Sequence, residues 1–283
     1  MDVAAFLEEV CAIPGHSGME GAAAARIAQE FSKYTKDVFV DKLGSVHGVM
    51  GSRGPRVLVC AHMDEVGLIA GSVADNGFIR LWQLGGVDPR TLPGCEVTVW
   101  GKKPLYGVIG AKPPQLLTAE DREKALKLDD LYVDVGYAPE DVRSRVRVGD
   151  MVVMLAPSLR LANGCMAGKT MDDRASVAAM LVAAELLSQR SVPAETYFVS
   201  TTQEEIGSVG AKSATFRLKP DLAIVIDVTH GEGPGTGKWE AYPVNKVTVA
   251  HGPNIQPKLE KIAVETAKEN GVDTVMEVCT GVT

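Results

Sequence analysis

The sequence has no excess of basic residues, and this absence argues against nucleic acid as a partner. Among its 283 residues there are 29 Lys and Arg against 36 Asp and Glu, which gives a formal net charge of −7 at pH 7. Binding to nucleic acid depends on a basic surface that neutralises phosphates, and the sequence contains no such cluster. We therefore expect no nucleic-acid partner.

Paired cysteines, long apolar runs and a leader-like first segment are also absent. The five cysteines are scattered, with none in a CxxC pair, so we expect reduced thiols and no disulfide framework. No apolar run approaches the roughly 18 residues of a membrane span. Residues 1–9 carry acids but no base, unlike a signal peptide. These features favour a cytoplasmic protein with no membrane partner.

The composition is that of a globular protein, and helices alternate with strands along the chain. Hydrophobic residues make up 46% and charged residues 23% of the sequence, as in ordinary folded domains. Residues 56–61 form a near-continuous apolar run, RVLVCA, which predicts a buried central strand. Helical stripes and strands alternate again from Met171 onward. This order predicts an α/β fold in which a mixed sheet is covered by helices on both faces.

Between residues 71 and 163 the pattern changes to short β-branched runs separated by Gly and Pro. Such runs are typical of a small all-β barrel or sandwich, and we predict an inserted β-barrel domain here. The predicted domain limits are therefore 1–70 for the first part of the α/β domain, 71–163 for the inserted barrel and 164–283 for the second part of the α/β domain.

A short segment before the second helix has the pattern of a capping box. In Ser17-Gly18-Met19-Glu20 the serine and the glutamate are three residues apart, the spacing at which each side chain bonds the other residue's backbone N–H. The sequence therefore predicts that both side chains cap a helix that starts here.

A histidine and an aspartate follow the predicted central strand. His62 and Asp64 are two residues apart, so in an extended segment they point to the same side. A neutral imidazole is a good ligand for Zn²⁺ or Co²⁺, and a nearby carboxylate would accept its other N–H. A hydrogen-bonded histidine at the end of a strand explains the pair equally well, so this motif alone does not establish a metal site.

Three further acidic clusters lie at predicted strand ends or at the start of a helix. The pair Asp172-Asp173 precedes a helix, where it could cap the helix or bridge two metal ions. The pair Glu204-Glu205 follows a strand, and the alternative there is a solvated acidic loop. Asp227 ends another strand, and a helix cap or a lysine could be its partner instead of a metal. Because α/β sheets place their sites at strand ends, the four clusters together indicate the ligands of a paired-metal hydrolase.

Five segments together carry a specific resemblance to a known family. They read AHMDEVGLIA, GVIGAKPP, GKTMDDRAS, TTQEEIGSVGA and AIVIDVTH. They are similar to the motifs of the tetrahedral-aminopeptidase and glutamyl aminopeptidase family of co-catalytic dimetal metallopeptidases, whose members are often labelled endoglucanases. The resemblance implies a metallo-aminopeptidase that removes N-terminal residues from short peptides, two divalent ions per subunit (zinc or cobalt), an inserted β domain and a homo-oligomer, a dodecamer.

The resemblance also implies roles for individual residues. Metal ligands are implied at four positions: His62, Asp172, Glu205 and Asp227. Of these, Asp172 would bridge the two ions and Glu205 would bind the second one. Glu204 corresponds to the general base that takes a proton from the attacking water, and Asp64 to the carboxylate that orients His62.

One ligand of the family pattern is missing from the sequence. Relatives carry a histidine well beyond the region that matches Glu277-Val278-Cys279, and this chain stops at Thr283. No convincing substitute is found among the other four histidines, which are His16, His47, His230 and His251. We therefore expect a truncated C-terminal end and a weak second metal site in this chain.

Three alternative functions remain open on these residues. A related metal-dependent deacylase shares the HxD and EE motifs, although the DDR motif and the position of the β insert favour an aminopeptidase. An endoglucanase is less favoured, because glycosidases usually use two carboxylates without a metal. A non-catalytic assembly subunit with an incomplete metal site would explain the missing histidine, but such a subunit would have no need of Glu204.

Overall fold

The computed structural model of the chain describes residues 1–237 and 240–279, apart from the side chain of Asp121. Two compact units are distinguished by their internal contacts, Met1–Ile226 and Asp227–Thr283. Within the described residues, no helix is both long enough and apolar enough to cross a membrane.

The first unit contains most of the regular structure. Its helices and strands, in chain order, are α1 (Val3–Ala12), α2 (Gly21–Phe31), β1 (Asp37–Val40), β2 (Val46–Met50), β3 (Arg56–His62), β4 (Gly67–Val73), β5 (Ile79–Leu84), β6 (Glu96–Trp100), β7 (Pro104–Ala111), α3 (Ala119–Glu123), β8 (Leu131–Asp134), α4 (Pro139–Arg145), β9 (Met151–Met154), β10 (Leu159–Arg160), β11 (Met166–Ala167), α5 (Met171–Ser188), β12 (Glu195–Thr201), α6 (Val209–Leu218) and β13 (Leu222–Val225).

Five of these strands form a mixed sheet in the order β1-β2-β12-β3-β13. Strand β3 lies between β12 and β13 and runs parallel to both, whereas β2 is antiparallel to β12. The apolar run at 56–61 is therefore a central strand, and it is buried from Leu58 to its end. Because β3 and β12 are parallel, they end at the same edge of the sheet, where His62 is paired in register with Thr201.

Helices cover both faces of this sheet. Along β3, Val59 and Ala61 pack into one apolar cluster and Leu58 and Cys60 into another, as side chains on opposite faces of a strand must. The first cluster includes side chains of α1, α2 and α5, and the second includes side chains of α6. The predicted α/β fold, with a mixed sheet between helices, is confirmed.

Six strands close into a β-barrel in the order β4-β5-β8-β7-β6-β9. The barrel has its own apolar core, which includes Leu68, Ile109 and Val133. The chain enters the barrel directly after β3 and leaves it after β9, before α5 returns to the sheet. The predicted inserted barrel is therefore present, with strands from Gly67 to Met154, while the exact domain limits at 1–70, 71–163 and 164–283 stay a prediction.

The second unit contains a helix between two paired strands. Its elements are β14 (Val247–His251), α7 (Pro257–Glu269) and β15 (Thr274–Val278). The two strands pair in parallel, and α7 connects them. The helix ends at Glu269 with Asn270 as its C-cap, and Gly271 follows at φ +70°, a conformation in which glycine carries no steric penalty.

Helix α5 offers a matched test of the core under the sheet. Leu181 is fully buried in that core, whereas Leu186 in the same helix is 53% exposed. We expect Leu181→Ala to lower the free energy of unfolding by about 2–5 kcal/mol, because it removes buried methyl groups and leaves a cavity. Leu186→Ala should change it by less than about 0.5 kcal/mol. Urea unfolding of both variants measures the difference, and equal losses would contradict this assignment of the core.

Candidate metal centre

The candidate site lies at the edge of the sheet where β3 and β12 both end. The segment after β3 carries Asp64, and the loop after β12 carries Glu204 and Glu205. The first turn of α5 supplies Asp172. The topology therefore brings together residues that are more than a hundred positions apart in the sequence, as expected at the carboxyl ends of parallel strands.

Three of the four predicted metal ligands converge here. Nε2 of His62 lies 3.0 Å from Oδ1 of Asp172. Ligand atoms of His62, Asp172 and Glu205 all lie within 4.8 Å of one another. The imidazole is buried, whereas the Asp172 side chain is 57% exposed, so the cluster opens to solvent on the side of Asp172.

The fourth predicted ligand, Asp227, is the first residue of the second unit. Its own Oδ1 accepts a hydrogen bond from the backbone N–H of Val228 at 2.8 Å, which orients the carboxylate relative to the chain that follows it. The role of Asp227 as a ligand stays a prediction.

The two adjacent aspartates at the start of α5 have different surroundings. The peptide bond between them is cis, and the helix becomes regular only from Arg174. Asp173 is fully buried, and its Oδ2 accepts a hydrogen bond from the backbone N–H of His62 at 3.2 Å. Asp173 therefore ties the end of β3 to the start of α5, while the Asp172 carboxylate lies against the His62 ring.

Asp64 links the histidine to the loop with the two glutamates. Its carboxylate is fully buried and accepts hydrogen bonds from the Ser17 hydroxyl at 2.6 Å and from the backbone N–H groups of Glu204 at 2.9 Å and Glu205 at 3.2 Å. Nδ1 of His62 lies 3.1 Å from the Asp64 carbonyl oxygen and 3.4 Å from its carboxylate. With Nδ1 placed against Asp64, Nε2 is the ring nitrogen that faces the cluster.

The Asp64 carboxyl is held in its ionised form. Burial opposes ionisation, but hydrogen bonds from His62, Ser17 and the Glu204 backbone outweigh it and lower the pKa of Asp64 below its usual value. An ionised, fully buried carboxylate is stable only while these donors remain in place.

The loop after β12 is held in an unusual backbone conformation. Gln203 has a φ of +55°, in the left-handed region. Glu20, which is buried, accepts hydrogen bonds from the Gln203 backbone N–H at 3.0 Å and from the Thr202 hydroxyl. In the same loop, Oε1 of Glu204 accepts a hydrogen bond from the Ser208 hydroxyl at 3.0 Å. The Glu204 side chain is therefore positioned from within its own loop.

The predicted capping box at residues 17–20 is wrong. Helix α2 begins at Gly21, and Glu20 is its N-cap residue without any side-chain capping bond. The Ser17 hydroxyl bonds Asp64 instead, and the Glu20 carboxylate bonds the 202–203 loop. The same polar side chains can cap a helix or bond a residue far away in the sequence. The local pattern therefore contains no signal that distinguishes these two roles.

The electrostatics of the cluster fit a bound cation. Burial would lower the pKa of His62, but its hydrogen bonds to Asp172 and Asp64 and the nearby charge of Asp173 raise it to about 11. Burial and the charge of Asp172 raise the pKa of Glu205 to about 7. Both raised pKa values mean that His62 and Glu205 hold their protons more tightly, as groups in an anionic environment do. An imidazole with several carboxylates is also the donor set of Zn²⁺ and related ions, so the residues present suit a divalent metal.

Comparison with known proteins gives a consistent picture. Residues 44–283 match the family of M42 glutamyl aminopeptidases. The lysyl aminopeptidase of Pyrococcus furiosus is 33% identical over 270 residues, which span 93% of this chain and 78% of that protein.

Two solved structures are also closely similar in fold. A TET aminopeptidase from a marine-sediment thaumarchaeote is 29% identical with a TM-score of 0.92, over 99% of this chain and 82% of that one. The TET1 peptidase of Pyrococcus horikoshii, which can assemble into a tetrahedron or a large octahedral shell, is 30% identical with a TM-score of 0.88, over 100% of this chain and 86% of that one.

The hydrogen bond from Ser17 to Asp64 can be tested by a matched pair of serine variants. We expect Ser17→Ala to lower the free energy of unfolding by about 1.5–3 kcal/mol, because a buried carboxylate loses a hydroxyl donor. Ser32→Ala removes an exposed hydroxyl that bonds the Ala28 carbonyl in α2, and it should cost less than about 0.5 kcal/mol. Urea unfolding at neutral pH measures both. Similar small losses would mean that Ser17 does not support Asp64.

Proposed function

We propose that this chain removes N-terminal residues from short peptides by metal-dependent hydrolysis. The chain belongs to the M42 glutamyl aminopeptidase family, and it is therefore a peptidase. The observation that carries the proposal is the convergence of His62, Asp172 and Glu205 around one point at the edge of the sheet. Glu204 directly precedes Glu205 in the loop after β12 and is available for proton transfer.

The proposed metal site holds two divalent ions, zinc or cobalt. The residues that would hold them are His62, Asp172, Glu205 and Asp227. When bound, such ions polarise the peptide carbonyl and make a water molecule acidic enough to serve as a nucleophile at neutral pH.

The proposed mechanism assigns proton transfer to Glu204. Its carboxylate takes a proton from the attacking water and returns it to the amine that leaves. The backbone N–H of Glu204 donates to Asp64, and its Oε1 accepts from Ser208. These two contacts support a fixed position for the base. Asp64 contacts the His62 ring at Nδ1 and orients it through that contact.

The proposed assembly is a homo-oligomer. Because the TET1 peptidase of Pyrococcus horikoshii can form a tetrahedron, and tetrahedral rotation symmetry relates twelve equivalent subunits, we propose a dodecamer for this chain as well. The proposed location is the cytoplasm, and the proposed partners are short peptide substrates. The measurement that tests the assembly is mass determination by light scattering at several protein concentrations.

The activity itself is tested with substrates that differ at one group. We expect cleavage of aminoacyl-nitroanilides with a free amine, loss of that activity on treatment with a chelator, and recovery with Zn²⁺ or Co²⁺. N-acetylated amino acids serve as the comparison substrates. Hydrolysis of these alone would indicate a deacylase. Inactivity on both, with intact assembly and bound metal, would indicate a non-catalytic subunit.

The role of Glu204 is tested by Glu204→Gln. We expect turnover to fall by about 10²–10⁴-fold, because the amide cannot accept the proton, while the metal content measured by elemental analysis stays the same. Glu195→Gln at the opposite end of β12 is the matched control. Glu195 forms an exposed ion pair with Arg56, which contributes little to stability, so activity should be unchanged. Near-full activity of the metal-loaded Glu204→Gln variant would rule out the assigned base.

A further inference from the structure

Two connections join the sheet to the barrel, and each adjoins a residue of the candidate metal centre in the sequence. The outgoing connection is residues 63–66, between β3 and β4. The returning connection is residues 155–170, between β9 and α5, and it contains the short strands β10 and β11. His62 ends the strand before the first connection, and Asp172 begins the helix after the second. The relative position of these two ligands therefore depends on how the two connections contact each other.

A buried ion pair joins the two connections. Oε2 of Glu65, in the outgoing connection, accepts a hydrogen bond from Nζ of Lys169 in the returning one. The Glu65 side chain is 3% exposed and that of Lys169 is 9% exposed. Neither side chain belongs to the cluster of His62, Asp172 and Glu205. Glu65 lies three residues after His62, and Lys169 lies three residues before Asp172.

Further contacts hold Glu65 in place. Oε1 of Glu65 accepts a hydrogen bond from the backbone N–H of Gly15 at 3.0 Å, and the backbone N–H of Glu65 donates one to the Gly15 carbonyl. Nδ1 of His16 lies 3.7 Å from Oε1, beyond hydrogen-bond range, and Nε2 of His16 is 3.2 Å from the carbonyl oxygen of Val152 in the barrel strand β9. Glu65 is therefore in contact with the loop before α2 as well as with the returning connection.

Arg174, in the first turn of α5, adds a second positive charge that acts on Glu65. It is fully buried, and its guanidinium donates to the carbonyls of Met63 at 3.0 Å and Ile13 at 2.6 Å, and to that of Val10. Burial opposes ionisation of Glu65, but His16, Lys169 and Arg174 outweigh it and lower the pKa of its carboxyl to about 2. Glu65 is therefore an anion at neutral pH.

We propose that Glu65 and Lys169 are a positioning pair, which holds the connection leading to Asp172 against the segment that follows His62 and thereby sets the affinity of the site for its divalent ion. This inference rests on the proposed function only in that it takes His62 and Asp172 as metal ligands. A bond between the two connections restricts their separation, and a metal site loses affinity when its ligands are held less closely to the required geometry.

The pair is distinguishable from a contact that serves stability alone. An ion pair removed from water contributes little net stability over apolar residues of similar volume, whereas removing one partner leaves a costly unpaired charge. Removing both partners should therefore restore much of the stability that a single substitution loses. It should not restore the bond between the two connections. Stability and metal affinity thus respond differently to the double substitution.

The test is a titration of the metal-free protein with Zn²⁺ against a competing chelator. We expect Lys169→Met to weaken Zn²⁺ binding by about tenfold or more, in the range known for residues that support metal ligands. The double variant Glu65→Gln/Lys169→Met should be more stable to urea than Lys169→Met, yet bind Zn²⁺ just as weakly. The absorption spectrum of the Co²⁺-loaded variants should also differ from that of the wild type, because the ligand geometry is altered.

A buried acid in α2 supplies the matched control. Glu30 is 2% exposed and is bonded to Arg26 and Lys33. Glu30→Gln should reduce stability to urea without changing the Zn²⁺ affinity or the Co²⁺ spectrum. If Lys169→Met does not fold, the double variant carries the comparison with the wild type.

Two results would overturn the proposal. One is wild-type Zn²⁺ affinity in the folded Lys169→Met or double variant. The other is recovery of Zn²⁺ affinity together with stability in the double variant, because the loss would then follow from stability alone. A wild-type protein that binds Zn²⁺ but cleaves no aminoacyl substrate would refute the proposed function. The role of Glu65 and Lys169 in metal affinity would still be decided by the Zn²⁺ titrations.

Discussion

The candidate site depends on hydrogen bonds to the buried carboxylate of Asp64. A carboxylate removed from water must receive hydrogen bonds to remain ionised. Asp64 receives them from two separate parts of the chain, through the Ser17 hydroxyl and the backbone N–H groups of Glu204 and Glu205. The end of β3, the loop before α2 and the loop after β12 are thereby held around one charge. Each segment is costly to move, because its departure would leave that charge short of a donor.

Two anionic sites, the Glu65 carboxylate and the cluster of His62, Asp172 and Glu205, are neutralised differently. Glu65 is compensated by protein cations, Lys169 and Arg174, and its pKa is lowered. The cluster of His62, Asp172 and Glu205 attracts protons, and the pKa values of His62 and Glu205 are raised. Of these two sites, only the cluster of His62, Asp172 and Glu205 is thus short of positive charge. This contrast separates the groups suited to binding a cation from those that hold the surrounding chain.

Much of the architecture was predictable because it follows from short-range patterns. The apolar run at 56–61 indicated a central strand, since only a strand buried on both faces can be apolar without alternation. Repeated β-branched runs between Gly and Pro indicated the barrel. The capping box at Ser17 and Glu20 was predicted wrongly for the same reason, because a local pattern carries no information about partners 47 residues away for Ser17 or 183 residues away for Glu20.

The sequence alone determined the candidate residues for the site: acids and a histidine at strand ends, together with motifs that resemble one family of metallopeptidases. Only the tertiary structure decided how these residues are held. The pairing of β3 with β12 brings His62 close to Glu205, the returning connection carries Asp172 to them, and the buried pair of Glu65 and Lys169 joins the two connections. The physical reason is that desolvated charges take whichever partner the folded chain places nearest, and that choice is made across the fold and not along the sequence.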